Sequence, residues 1–128
     1  MFLDTSILID ILTSKDGSTK FNEILKHVKD EPIFISIIQI GEITDWCLKN
    51  NIDAKDRILK VKEFANIIPL NENICIEGSI IKKNMRKKGK SKFGLIDGII
   101  LASARSINQE FLTKDRDFQK AKDVILLK

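Results

Sequence analysis

Apolar and polar positions fall into two kinds of block along this chain. Short apolar runs are each followed by longer segments in which apolar residues recur every three or four positions. Met1-Phe2-Leu3 is the first short run, and it passes through Asp4-Thr5-Ser6 into a second apolar stretch, Ile7-Leu8-Ile9. Met1–Leu3 reads as a buried strand, with Thr5 or Ser6 capping a helix that starts near Ile7 and runs to Leu12. A polar break, Thr13–Thr19, contains Gly17. Phe21, Ile24, Leu25 and Val28 then recur at helical spacing, which predicts an amphipathic helix over Ser18–Lys29, ended by Asp30-Glu31-Pro32. Ile33-Phe34-Ile35 is a second strand. Ser36 reads as a cap, and Ile37, Ile38, Ile40, Ile43, Trp46 and Cys47 give a helix through about Lys49 with Glu42 inside it.

Asn50-Asn51 marks a turn. Asp53–Asn66 reads as a helix with an imperfect apolar stripe, and Ile67-Ile68-Pro69-Leu70 as a third strand with its Pro near the end. Glu72–Lys88 is a helix stopped by Gly89. Gly94–Asn108, apolar for most of its length, reads as a buried helix. Phe111-Leu112-Thr113 is a fourth strand and Val124–Leu127 a fifth. Strands alternating with helices imply parallel pairing. The expected fold class is therefore α/β: one three-layer α/β/α domain over residues 1–128, on a parallel sheet of about five strands.

Composition narrows the chemistry. A chain of 128 residues with 43% hydrophobic content fits a soluble globular domain. No apolar run reaches the length of a membrane span, and Asp4 and Asp10 interrupt the first apolar stretch, so the expectation is a cytoplasmic protein. Cys47 and Cys75 are isolated and read as reduced core residues. His27 is the single histidine, which argues against a zinc site or a histidine-based triad. Any metal would then have hard oxygen ligands, favouring Mg²⁺ or Mn²⁺.

Four carboxylates stand out by position. Asp4 follows the first strand, at the sheet edge where open α/β folds bind ligands. Glu42 lies in a strongly apolar helix, beside Gly41, which would let a backbone or a ligand approach closely. Asp97 lies in Gly94-Leu95-Ile96-Asp97-Gly98-Ile99-Ile100-Leu101-Ala102; the helix macrodipole alone would account for an acid there, but its apolar neighbours make full burial expensive and point to a polar cleft. Asp115 leaves the fourth strand at the same rim as Asp4, with Asp117 two residues on, supporting the site or capping the next turn. Carboxylates gathered without local Lys or Arg partners repel one another, and a divalent cation resolves that repulsion.

Together these segments resemble the PIN-domain nucleases, and among them the VapC-type toxins of toxin–antitoxin pairs. The resemblance rests on the first strand followed by Asp4-Thr5-Ser6, on Gly41-Glu42 in the third helix, on Leu95–Ala102 and on Phe111–Phe118, and it covers essentially the whole chain. It implies that Asp4, Glu42, Asp97 and Asp115 hold Mg²⁺ or Mn²⁺ and cut RNA. By the same resemblance Ser6 and Thr113 match hydroxyl positions near the metal, Asp117 matches a further acidic position, and the partners are a small antitoxin and a second copy of the chain.

Net charge is +4 with pI ≈ 9.1. Lys82, Lys83, Arg86, Lys87, Lys88, Lys90 and Lys92 crowd one segment with no acid among them. They read either as a contact for RNA phosphates or as a solvated helix end, with the lack of offsetting acids favouring RNA. Phe93 reads as core rather than as a base-stacking residue. Two rival functions remain: a non-catalytic RNA- or protein-binding module, and a phosphatase-like domain with Asp4 as nucleophile. The second is weakened because Ser6 occupies the position where such folds usually carry another acid.

Overall fold

A computed structural model describes all residues, 1–128. The first half runs β1 (Phe2–Leu3), α1 (Thr5–Thr13), α2 (Thr19–Val28), β2 (Ile33–Ser36), α3 (Ile38–Lys49) and α4 (Ala54–Phe64). The second half runs β3 (Ala65–Ile68), α5 (Glu72–Lys87), α6 (Leu95–Ser106), β4 (Phe111–Thr113), a 3₁₀ turn (Arg116–Phe118) and β5 (Val124–Leu126). The sheet has five strands in the order β3-β2-β1-β4-β5, and every pairing is parallel. This is the α/β class expected from the sequence.

The strand pleat sorts the core into two layers. Phe2 and Phe111 are paired in register and point to one face, where they meet Phe118, Phe93 and the apolar sides of α5 and α6. Leu3 and Leu112, one residue on, point to the other face and pack with Ile7, Leu8, Ile24, Ile35, Ile43 and Val61. Each fully buried side chain of this kind contributes about 1.5–3 kcal/mol. Phe93 is completely buried and packs edge-on against Phe118, centroids 5.2 Å apart.

α5 and α6 approach closely because glycines face each other. A Cβ on Gly98 would sit 2.1 Å from the Gly78 carbonyl oxygen, and one on Gly78 would sit 2.8 Å from the Ile99 backbone nitrogen. Gly41 is different: its Cβ position has nothing within 4 Å. No other backbone makes the close approach that a glycine there allows.

Several boundaries differ from the sequence reading. α1 starts at Thr5, and its N-cap is Asp4, not Thr5 or Ser6, because Asp4's carbonyl accepts from Ile7 and Leu8 N–H. Ser36 completes β2 and Ile37 occupies the cap position of α3, while Ser36 Oγ accepts the Ile38 N–H at 3.3 Å, the capping bond expected of it. α4 passes into β3 without a loop: Asn66, placed in the helix by periodicity, pairs with Phe34 in the sheet, and its amide donates to Ile33 O. β3 ends before Pro69, which has no N–H for the ladder. β5 ends at Leu126. Cys47 is buried as expected, whereas Cys75 lies on the exposed side of α5.

Candidate functional site

The carboxyl ends of β1 and β4 lie side by side, and the residues that follow them interlock. Asp4 is 7% exposed. Its Oδ2 accepts two hydroxyl hydrogen bonds, from Ser6 Oγ at 2.9 Å and from Thr113 Oγ1 at 2.6 Å. Each hydroxyl also accepts a backbone N–H from the exit of β4. Lys114 N donates to Ser6 Oγ at 3.2 Å, and Asp115 N donates to Thr113 Oγ1 at 2.9 Å. With their acceptor role filled by the backbone, both hydroxyls are turned as donors toward the carboxylate.

Glu42 is held in a similar way. Thr5 Oγ1 donates to Glu42 Oε1 at 2.5 Å and accepts from Gln39 Nε2 at 3.2 Å. Gln39 is fully buried; its Nε2 also donates to Leu3 O, and its Oε1 accepts from Ser36 N. One side chain thereby ties together the ends of β1 and β2 and the hydroxyl facing Glu42. The sequence reading missed Gln39 and gave Thr5 only a capping role. The available signal was a lone amide within Ile37-Ile38-Gln39-Ile40, an apolar run at the mouth of a strand.

Asp97 lies in the first turn of α6, where its Oδ2 accepts from Gly94 N at 2.8 Å. It therefore does what an acid at a helix start ordinarily does, and it also faces the other carboxylates. Asp115 caps the 3₁₀ turn, its Oδ1 accepting from Asp117 N at 2.9 Å.

Burial pushes the Asp4 carboxyl above its ordinary range; hydrogen bonds from Thr113, Ser6 and the Thr5 N–H oppose the shift, and Asp115 reinforces it. Glu42 is raised by burial, against its Thr5 hydrogen bond, with repulsion from Asp4, Asp97 and Asp45. Asp97 is raised by burial, against the Gly94 N–H, with repulsion from Asp115, Asp4 and Asp117. The carboxylates of these separate chain segments thus lie within electrostatic range of one another. None of Asp4, Glu42, Asp97, Asp115 or Asp117 forms an ion pair with Lys or Arg.

An all-oxygen, uncompensated acidic rim fits a hard divalent cation. No three of these side chains are drawn together as a ready-made ligand set. The match is therefore one of donor chemistry and charge.

Apart from the half-buried Lys82, the basic segment divides into two groups. Lys83, Lys87 and Lys92 are exposed, and no hydrogen bond or ion pair fixes their side chains. Arg86 Nε donates to Phe93 O at 2.8 Å, just before the Gly94 that binds Asp97. Lys90 Nζ donates to Arg116 O at 2.8 Å, between Asp115 and Asp117. Lys88 Nζ reaches Lys120 O at 3.4 Å, and Lys120 Nζ returns to Lys88 O at 2.8 Å. Arg86, Lys88 and Lys90 thus hold backbone carbonyls beside the acidic rim.

A family model described as the PIN domain matches residues 1–124. No curated protein sequence matches the chain. Among solved structures, a toxin–antitoxin complex from Klebsiella pneumoniae contains a chain 24% identical, covering 97% of this chain and 94% of its own, with TM-score 0.73. VapBC2 from Rickettsia felis, bound to a DNA fragment from its promoter, is 19% identical over 98% and 96%, with TM-score 0.73. FitAcB from Neisseria gonorrhoeae is 20% identical over 99% and 96%, with TM-score 0.72.

Proposed function

The chain belongs to the PIN domain family, and from that premise we propose that it is a metal-dependent endoribonuclease, the toxin of a VapBC-type toxin–antitoxin pair. The observation that carries the proposal is the rim itself. Asp4 is buried and Glu42 half-buried, each against hydroxyl donors, Asp97 and Asp115 lie within electrostatic range of them, and no basic side chain neutralises any of the four.

Asp4, Asp97 and Asp115, with Glu42 completing the set, would hold Mg²⁺ or Mn²⁺, which when bound supplies Lewis-acid stabilisation of charge on a scissile phosphate. The chain's own residues do the rest. Ser6 and Thr113 fix one oxygen of Asp4 and favour its ionised form. Thr5, itself oriented by Gln39, does the same for Glu42. Asp117 supports the Asp115 turn through its backbone N–H. Lys83, Lys87 and Lys92 would draw RNA phosphates toward the rim, with Arg86, Lys88 and Lys90 shaping the backbone they approach. An antitoxin partner is supported by the neighbouring structures being toxin–antitoxin complexes, and a homodimer belongs to the same reading.

The test is cleavage of structured and unstructured RNA by protein free of antitoxin, with Mn²⁺, with Mg²⁺ and with chelator. Cutting should require metal. Asp97→Asn should lower the rate by about 10²-fold or more, since each 1.36 kcal/mol of lost transition-state stabilisation is about tenfold. Folded protein that binds RNA but never cuts it would favour the binding-module reading instead.

A further inference from the structure

Asp10 breaks two local preferences at once. It is a carboxylate near the C-terminal end of α1, where the macrodipole favours cations, and its side chain is only 5% exposed. A buried acid in that position needs partners. Two lysines supply them: Lys20 Nζ lies 3.0 Å from Oδ1, and Lys114 Nζ lies 2.5 Å from Oδ2. The second contact is an ion pair without hydrogen-bond alignment, so the directional capacity of Oδ2 is unfilled.

Lys114 is the residue between Thr113, which binds Asp4, and Asp115. Its backbone N–H is bonded to Ser6 Oγ, the other hydroxyl on Asp4. Lys114 and the exposed Arg116 are the cationic residues on this segment, and of the two only Lys114 is bonded to a hydroxyl that holds Asp4. A flexible ammonium there would settle naturally among mutually repelling carboxylates, yet it pairs with none of them. It turns to Asp10.

We propose that Asp10 is a positioning residue: by pairing with Lys114 it keeps that ammonium off the acidic rim, leaving the rim open to an external divalent cation. The inference rests on the metal-dependent reading above. Without Asp10, Lys114 becomes an intramolecular competitor for the same carboxylates, present at the high effective concentration of a tethered group. Lys20 completes the pairing at the other carboxylate oxygen.

Mn²⁺ binding, read by electron paramagnetic resonance alongside unfolding curves, separates the possibilities. Wild type should bind Mn²⁺ and Asp97→Asn should weaken that binding; failure of this control overturns the metal reading and this proposal with it. Given the control, Asp10→Asn should lower Mn²⁺ affinity roughly 10- to 100-fold, the range typical of residues that support metal ligands. Lys114→Met alone should leave affinity close to wild type. The double variant Asp10→Asn with Lys114→Met should recover most of the lost affinity while keeping any loss of thermal stability. If the loss persists in the double variant, or never appears in Asp10→Asn, the proposal is wrong. Should Asp10→Asn be too unstable to measure, Asp10→Ser with and without Lys114→Met makes the same comparison.

Discussion

Asp97 carries two roles that substitutions can separate. Its Oδ2 accepts the Gly94 N–H at the start of α6, and the proposed function gives it a second role toward metal. Asparagine keeps an oxygen for the cap; alanine does not. Asp97→Asn should therefore cost little stability, whereas Asp97→Ala should lose about 1 kcal/mol in urea unfolding. Both should lose cleavage. Equal stability of the two variants would count against the capping bond.

The raised carboxylates also set a pH dependence. Asp4, Glu42 and Asp97 hold protons more tightly in the folded chain than unfolded. In the window between ordinary carboxylate values and the raised ones, the folded state binds more protons, so metal-free stability falls as pH rises. Below that window the penalty is absent. Unfolding free energy measured against Asp97→Asn should show the wild type losing ground as pH climbs through this window toward neutrality. Mg²⁺ or Mn²⁺ should reverse the loss, by about 2.7 kcal/mol at a hundredfold excess over Kd. A wild-type curve that parallels the variant with and without metal would remove the electrostatic basis of the site. The sequence made the four acids legible because each follows a strand or sits in an apolar helix. It left Gln39 and Asp10 unread, since their meaning lies in partners 36 and 104 residues away in sequence.

At the level of elements, glycine positions decide how closely helices pack. Gly98 lies against the Gly78 carbonyl, so Gly98→Ala forces α5 and α6 apart and should cost about 1–3 kcal/mol or more. Gly41→Ala meets open space in mid-helix and should stabilise by roughly 0.5–1 kcal/mol. Opposite signs in chemical denaturation would confirm the pair; a neutral Gly98→Ala would refute the crossing. From the sequence both glycines read as helix-interior residues, and Gly41 drew the attention because it adjoins Glu42. Periodicity places residues on a helix but does not say which helix faces it. The same limit explains β3: Ala65 and Asn66 continue the α4 pattern, and only pairing with Ile33 and Phe34 converts them to strand. Strand existence and parallel direction were readable, because apolar runs alternate with helical segments. The order β3-β2-β1-β4-β5 was not, because long-range pairing sets it.

Across the whole molecule, the acidic rim and the basic segment adjoin without neutralising each other. Arg86, Lys88 and Lys90 are held on carbonyls around Phe93, Lys120 and Arg116, which fixes the basic segment beside the rim. Lys83, Lys87 and Lys92 are left to solvent. That division predicts two kinds of defect. Alanine at Lys83, Lys87 or Lys92 should weaken single-stranded RNA binding at low salt and reduce the slope of log K against log salt by about 0.7 for each phosphate no longer neutralised. Thermal stability should hardly change. Lys90→Ala should instead release the Arg116 carbonyl, loosen the turn that carries Asp115 and Asp117, and reduce cleavage by more than it reduces binding. Anisotropy titrations with cleavage-deficient Asp97→Asn protein over a range of KCl measure the first effect, and single-turnover cutting by Lys90→Ala measures the second. If all four alanines shift the salt slope equally and none affects turnover beyond binding, the braced and free lysines are one undifferentiated patch. If none shifts it, the segment is a solvated helix end, and RNA must reach the acidic rim by another face.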